Sequence, residues 1–353
     1  LRRNWFNIAL VVTFALAGVA HYAHWDEMVQ FALASVAVLF VAGFLGKATE
    51  SVAHYAGQRL GGFLNATFGN AAELIIAIFL IKEGLFDMVK ASIAGSIIGN
   101  LLLVLGASLF AGGLKFKEQR FNLQLAGHNS SLMIIAVIGL VIPAIFVKTE
   151  HFSVRQDNAL SLSVAGVLIV AYLLWLVFSM ITHKDMLADN EETTPDHGEG
   201  PTWSKRTSIL FLVVATAMVA FVSEWLVGTL EVFAHDFGIS ELFLGAFVVA
   251  IVGNAAEHSA AILLAMKNKM GAAIEIAVGS SLQIALFVAP VLVFVSLLFG
   301  QTMDLVFTTI ELTAIAVSVF IATSISRDGR TNWYEGLLLL FVYVILGIAF
   351  FLV

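Results

Sequence analysis

The 353 residues include no cysteine and only four prolines. The first absence excludes disulfides, thiolate metal sites and thiol chemistry, and leaves the cellular compartment open. Charge is also scarce: Asp, Glu, Lys and Arg make up 12% of the chain, against about 25% in soluble domains. With a net charge of −7 there is no basic footprint for nucleic acid. HExxH, the phosphate-binding P-loop, the nucleophile elbow and the dinucleotide fingerprint are missing as well, so the chain reads as neither an enzyme nor a cofactor binder. What fills the sequence is apolar: 60% of residues, with a mean hydropathy of +0.96. That excludes a water-soluble globule and allows on the order of ten spans of about 20 residues. The expected fold is an all-α polytopic membrane protein.

Long apolar stretches broken by charge clusters predict about eleven transmembrane helices near 5–22, 28–56, 62–81, 88–112, 128–147, 158–182, 207–234, 241–266, 272–299, 304–325 and 333–353. The first lacks a convincing small-residue cleavage site and reads as a retained helix rather than a signal peptide. One long polar stretch, 183–206, holds two of the prolines and the acids Asp189, Glu191, Glu192, Asp196 and Glu199. It reads as an acidic cytoplasmic loop whose acids serve solvation or cation sensing. Lys and Arg concentrate on the cytoplasmic side of membrane proteins. With the N-terminus inside, thirteen of the eighteen basic residues fall on that side and four (Lys82, Lys90, Lys148, Arg155) on the other, with Lys47 inside a helix. The C-terminus is then outside.

Self-similarity at a fixed offset of 184 organises the chain. Residues 60–80 align without gaps on 244–264 with 12 of 21 identical, and Gly95-Ser96 falls on Gly279-Ser280. The expected domains are an extra first helix (1–27), a five-helix half (28–182), the loop (183–206) and a second five-helix half (207–353). Five is odd, so the second half re-enters the membrane upside down. Inverted repeats with Gly-interrupted helices at matching positions point to a transporter whose site lies near the midplane.

The best-matched segment is also the most polar. GNAAE occurs at Gly69–Glu73 and again at Gly253–Glu257, each time within a span. A carboxylate at mid-bilayer costs at least about 2.5–3.5 kcal/mol and therefore faces a cavity or a partner. Asn70 with Glu73, and Asn254 with Glu257, are spaced i, i+3 on one helix face. Gly69 and Gly253 allow close backbone approach or local opening. The following helices add Ser96 and Asn100 in GSIIGN, and Ser280 and Gln283 in GSSLQ. Those residues bind a cation or bond between helices. The symmetry there is imperfect, since the offset puts Gly99 opposite Gln283. Two carboxylates among amide, hydroxyl and carbonyl oxygens describe a hard-cation site that suits Ca²⁺, with Glu73 and Glu257 as the metal ligands. Protons compete for the same oxygens. An empty, doubly ionised site is costly to occlude, whereas a metal-loaded or protonated one can cross. This is an exchange mechanism.

Glu50 and Glu224 lie in the first helix of each half at an offset of 174, and Glu275 lies two turns before Gln283. Each reads as a secondary cation or proton station or as an interfacial carboxylate, Glu50 paired with Lys47 or solvent. His258 relays protons or bonds a neighbouring helix; His54 and His128 have weaker claims to such a role.

The paired GNAAE segments, each followed by a GS-containing helix, resemble the α-repeats of the calcium/cation antiporter superfamily. GNAAEL and GNAAEH are similar to its calcium/proton exchanger (CAX) branch. The resemblance implies a secondary antiporter that exports Ca²⁺ from the cytosol against H⁺, with its carboxylates at Glu73 and Glu257 and supporting positions at Asn70, Asn254, Ser96, Ser280, Asn100 and Gln283. It implies no cofactor beyond the transported ions, the lipid bilayer as surroundings, and a prokaryotic plasma-membrane location. It leaves room for a homo-oligomer. The competing readings are a Na⁺/Ca²⁺ exchanger of the same superfamily and a cation channel.

Overall fold

The computed structural model describes residues 2–150, 153–183 and 203–353, so the loop acids Asp189, Glu191, Glu192, Asp196 and Glu199 lie outside the described residues. Within a bilayer every backbone N–H and C=O must find its partner inside the chain, and helices satisfy that requirement. Eleven helices follow among the described residues: α1 Arg2–Tyr22, α2 Glu27–Phe68, α3 Ala71–Lys82, α4 Phe86–Phe116, α5 Leu123–Glu150, α6 Val154–Thr182, α7 Lys205–Phe237, α8 Glu241–Ala265, α9 Met270–Phe299, α10 Thr309–Ile325 and α11 Trp333–Phe351. Nine stretches among them are long and apolar enough to cross a membrane; α3 and α10 are shorter. Large apolar side chains are exposed along α1, α5, α6 and α11, while Asn70, Glu73, Ser96, Asn100 and Asn254 are buried. That inside-out distribution is what lipid selects.

Starts and stops follow the sequence locally. Asp26 and Ser204 accept from the backbone N–H groups of Met28 and Thr207 to open α2 and α7. Thr308 with Glu311, and Asn332 with Glu335, form reciprocal capping boxes on α10 and α11. Gly238, in the left-handed conformation at φ 62°, ends α7.

Two expectations are corrected. The predicted helix 304–325 begins at Thr309 instead. Residues 304–308 are extended and strapped down, because Leu305 N–H donates to Ser161 Oγ (3.0 Å) and Lys90 Nζ reaches Asp304 Oδ1 (3.2 Å). The turn expected between the second and third spans is present, for the chain folds back there although its local turns stay helical. An added Cβ on Gly61 would come to 2.5 Å from the Ala53 carbonyl oxygen, whereas residues eight apart in a straight helix are separated by about 12 Å. The second correction is a further break at Gly69-Asn70, in the middle of the predicted third span.

The chain divides into two compact units: Leu1–Val89 with His197–Glu257, and Lys90–Asp196 with His258–Val353. In the first, α2 pairs with α7 through a buried Ser51–Ser208 hydroxyl bond of 2.7 Å, Tyr55 donating to the Trp203 carbonyl at 2.9 Å, and Phe31 stacked on Phe233. The extra helix α1 packs on this pair through Trp225, which Phe14 and His21 flank, and a Cβ on Gly18 would meet the Trp225 ring at 3.0 Å.

In the second unit, α11 lies close against α4 where Gly106 and Gly336 face each other; a Cβ on Gly106 would meet the Gly336 carbonyl at 3.0 Å. Two short strands, β1 (Glu118–Arg120) and β2 (Arg330–Asn332), pair antiparallel. Gln119 Nε2 donates to the Ala265 carbonyl and to Asn268 Oδ1, both at 2.9 Å, and Lys115 donates to the Met266 carbonyl. The connections after α4, α8 and α10 are thus gathered at one end of that unit.

Candidate functional site

The two GNAAE copies meet inside the first unit. In the first, α2 stops at Phe68, Gly69 and Asn70 form a turn, and α3 restarts at Ala71. Glu73 therefore sits in the first turn of a helix, where exposed N–H dipoles favour negative charge. Asn70 and Glu73 are 2% and 4% exposed. In the second copy the helix runs straight through Gly253 and Asn254, whose Nδ2 donates to the Ala250 carbonyl at 3.0 Å. Asn254 is buried and Glu257 half-buried.

Each glycine faces the other copy's glutamate. A Cβ built on Gly69 would stand 3.2 Å from Glu257 Oε1, and one built on Gly253 would stand 3.8 Å from Glu73 Cα and Cβ. Small residues at a helix crossing let backbones approach, and here they bring two intramembrane carboxylates into one neighbourhood. Glu73 is buried, and Glu257, half-buried, has its Oε1 toward Gly69.

The supporting residues fall in the second unit. Ser96, Asn100 and Ser280 are buried and Gln283 is half-buried. They flank two π-helical turns, Gly99–Val104 in α4 and Ile284–Val288 in α9. The offset of 184 carries 99–104 onto 283–288, so the repeat preserves the widened turn. Such turns loosen the backbone ladder and recur at functional sites. A third, Leu244–Val249, lies in α8 just ahead of Gly253.

The flanking residues separate. Glu224 is paired with Lys82, their charged atoms 3.3 Å apart. Glu50 is exposed, and Lys47 places its ammonium 3.5 Å from the centre of the Phe6 ring. The expected Lys47 partnership of Glu50 is thus replaced by a cation–π contact, since Phe6 of α1 covers the lysine. Glu275 is exposed on α9; His258 is half-buried, directly after Glu257. His54 and His128 are exposed, against Tyr55 and Phe178 respectively. Among the described residues no group of three or more His, Asp or Glu side chains forms a metal cluster; any metal here would draw on two carboxylates plus amide, hydroxyl and backbone oxygens. Sequence reasoning missed Lys82. Its only signal was that the offset of 184 sets it opposite Met266, a charge against an apolar residue.

The sequence pattern of the sodium/calcium exchanger protein family matches residues 27–181 and 207–352. The chain is 48% identical over 351 residues to the Ca(2+)/H(+) antiporter ChaA of Bacillus subtilis (strain 168), covering 98% of this chain and 99% of that protein. It is 45% identical over 363 residues to a Ca(2+)/H(+) antiporter of Aphanothece halophytica, covering 99% and 97%. The solved structure of native YfkE superposes with a TM-score of 0.86 at 45% identity, over 99% of this chain and 100% of that one.

Proposed function

We infer that this chain, which belongs to the sodium/calcium exchanger protein family, is a secondary antiporter that exports Ca²⁺ from the cytosol in exchange for H⁺ by alternating access at Glu73 and Glu257. The observation that carries the reading is the reciprocal crossing, in which each motif's glycine faces the other motif's glutamate. Its similarity along nearly its whole length to proteins named Ca(2+)/H(+) antiporters supports the ion pair.

Two carboxylates match the charge of one divalent ion, and amide and hydroxyl oxygens complete a flexible hard-cation shell. Asn70 and Asn254 hold the carboxylate neighbourhood; Ser96, Ser280, Asn100 and Gln283 keep the supporting positions that the resemblance gives them. With Ca²⁺ bound or with the carboxylates protonated the site is close to neutral and can pass through a dry interior. Empty and doubly ionised, it cannot pass without a large desolvation cost. Exchange is therefore obligatory, because each crossing needs one cargo or the other. Glu50 and Glu224 stand as stations along the approaches. His258 and Glu275 are weaker candidates for proton and cation handling.

The halves 28–182 and 207–353 act as inverted repeats behind the extra helix 1–27, with the N-terminus in the cytosol and the C-terminus outside. The gathering of the basic connections after α4, α8 and α10 at one end supports this alternation. The membrane is a prokaryotic plasma membrane. The test is radioactive Ca²⁺ flux in proteoliposomes: uptake driven by an imposed pH gradient alone supports the reading. Flux that follows a Na⁺ gradient at fixed pH, or that needs no counter-ion, replaces it with Na⁺/Ca²⁺ exchange or a channel.

A further inference from the structure

Lys82 closes α3, and its ammonium stands 3.3 Å from Glu224 on α7, with side chains 46% and 48% exposed. It lies nine residues beyond Glu73 on the same helix, about 13.5 Å along the axis. Glu224 is not at a helix end, since α7 continues thirteen residues further to Phe237. Charges left half-exposed in this way are solvated rather than set among acyl chains. Next in the chain, Ser223 is fully buried, and its hydroxyl has no hydrogen-bond partner among the described residues. Other buried hydroxyls here, such as Thr49, Ser281 and Ser318, bond back to carbonyls one turn earlier.

The other half is built differently. The offset of 174 sets Glu50 opposite Glu224 and Thr49 opposite Ser223, while the offset of 184 sets Met266 where Lys82 stands. Glu50 is exposed, Thr49 is spent on the Leu45 carbonyl, and Lys47 is drawn to Phe6. One approach thus carries an acid held by a tethered cation; its counterpart carries an acid open to water.

We infer that Lys82 is a tethered counter-ion that makes the approach at Glu224 a poorer collector of divalent cations than the approach at Glu50. A Ca²⁺ ion arriving at Glu224 must displace the Lys82 ammonium before it can use that carboxylate. At Glu50 nothing is displaced. Lys82 is a positioning residue, acting through Glu224 and not on the carboxylate pair. The inference rests on the proposed Ca²⁺ exchange. In the orientation given above the guarded approach is the outer one, so the asymmetry disfavours recapture of the released ion.

The test uses the full chain in proteoliposomes, with Ca²⁺ dependence measured at each face separately. A single cysteine introduced into this cysteine-free chain reports the sidedness. Lys82→Met, which installs the residue found at the matching position, lowers the apparent KM for Ca²⁺ at the outer face by about two- to fivefold, the range a half-exposed ion pair commands. The inner-face KM and the maximal rate stay unchanged. In a Glu224→Gln background the same substitution has no further effect. Lys82→Gln repeats the measurement should the methionine variant fail to fold. An equal shift at both faces, a change confined to the maximal rate, or no shift overturns the inference. Wild-type protein that shows no pH-driven flux refutes the parent reading instead.

Discussion

The same five residues, GNAAE, produce two different local structures. At Gly69–Glu73 the helix breaks, and the glutamate starts a new one, almost fully buried. At Gly253–Glu257 the helix is continuous, Asn254 is engaged with its own preceding turn, and the glutamate is half-buried. What they share is the crossing, each glycine against the opposite glutamate. The comparison separates two contributions of the motif. The glycines provide close approach in both copies, whereas local opening of the backbone occurs in one. A pseudo-symmetric pair of this kind can be equivalent in charge and unequal in geometry.

The comparison is sharpened first at the charges. Glu73→Gln and Glu257→Gln each reduce pH-driven Ca²⁺ flux to background, a loss of about 100-fold or more, with protein still extractable and monodisperse in detergent. Near-normal flux in either variant removes the proposed site. The glycines should then break the symmetry. A Cβ at Gly69 lies 2.8 Å from the Asn65 carbonyl and 3.2 Å from Glu257 Oε1, while at Gly253 its nearest neighbours are at 3.7 Å. Gly69→Ala accordingly lowers flux by about tenfold or more through backbone and carboxylate displacement, and Gly253→Ala stays within about twofold. Equal effects would mean that the local opening at Gly69 is incidental. A smaller contrast is expected at the asparagines: Asn70→Ala, at the break, raises the KM for Ca²⁺ more than Asn254→Ala, whose amide already serves its own helix. Competition between proton and metal gives a further expectation. Lowering pH at the face where Ca²⁺ binds raises its apparent KM, by up to about tenfold per unit for each proton displaced. The smallest effect belongs to the acidic loop. Replacing Asp189, Glu191, Glu192, Asp196 and Glu199 by amides leaves rate and KM unchanged if those acids serve only solvation.

The eleven helices were legible because lipid imposes long apolar stretches and the charges between them are few. The start of α10 was not. Asp304–Thr308 is as apolar as a helix end, and its bonds to Ser161 and Lys90, with that of Met303 to Ser296, hold this stretch out of the helix. The crossing of the two GNAAE segments could be anticipated from the repeat, since lipid penalises polar segments and two identical ones in apolar spans call for partners. The break at Gly69-Asn70 could not, because its twin at Gly253-Asn254 has the same letters and stays helical; the flanking turns decide, with α8 placing a π-helical turn at Leu244–Val249 just ahead. Lys82 and Glu224 lie 142 residues apart, a pairing that tertiary packing alone creates.

Proton release on metal binding tests the shared-carboxylate site most directly. Purified protein in weakly buffered detergent solution is titrated with Ca²⁺ while a pH indicator reports free H⁺. Wild-type protein should release protons in proportion to Ca²⁺ bound, and the Glu73→Gln/Glu257→Gln protein should neither bind nor release. Ca²⁺ binding of wild-type strength in that double variant, or wild-type binding with no protons released, would contradict it.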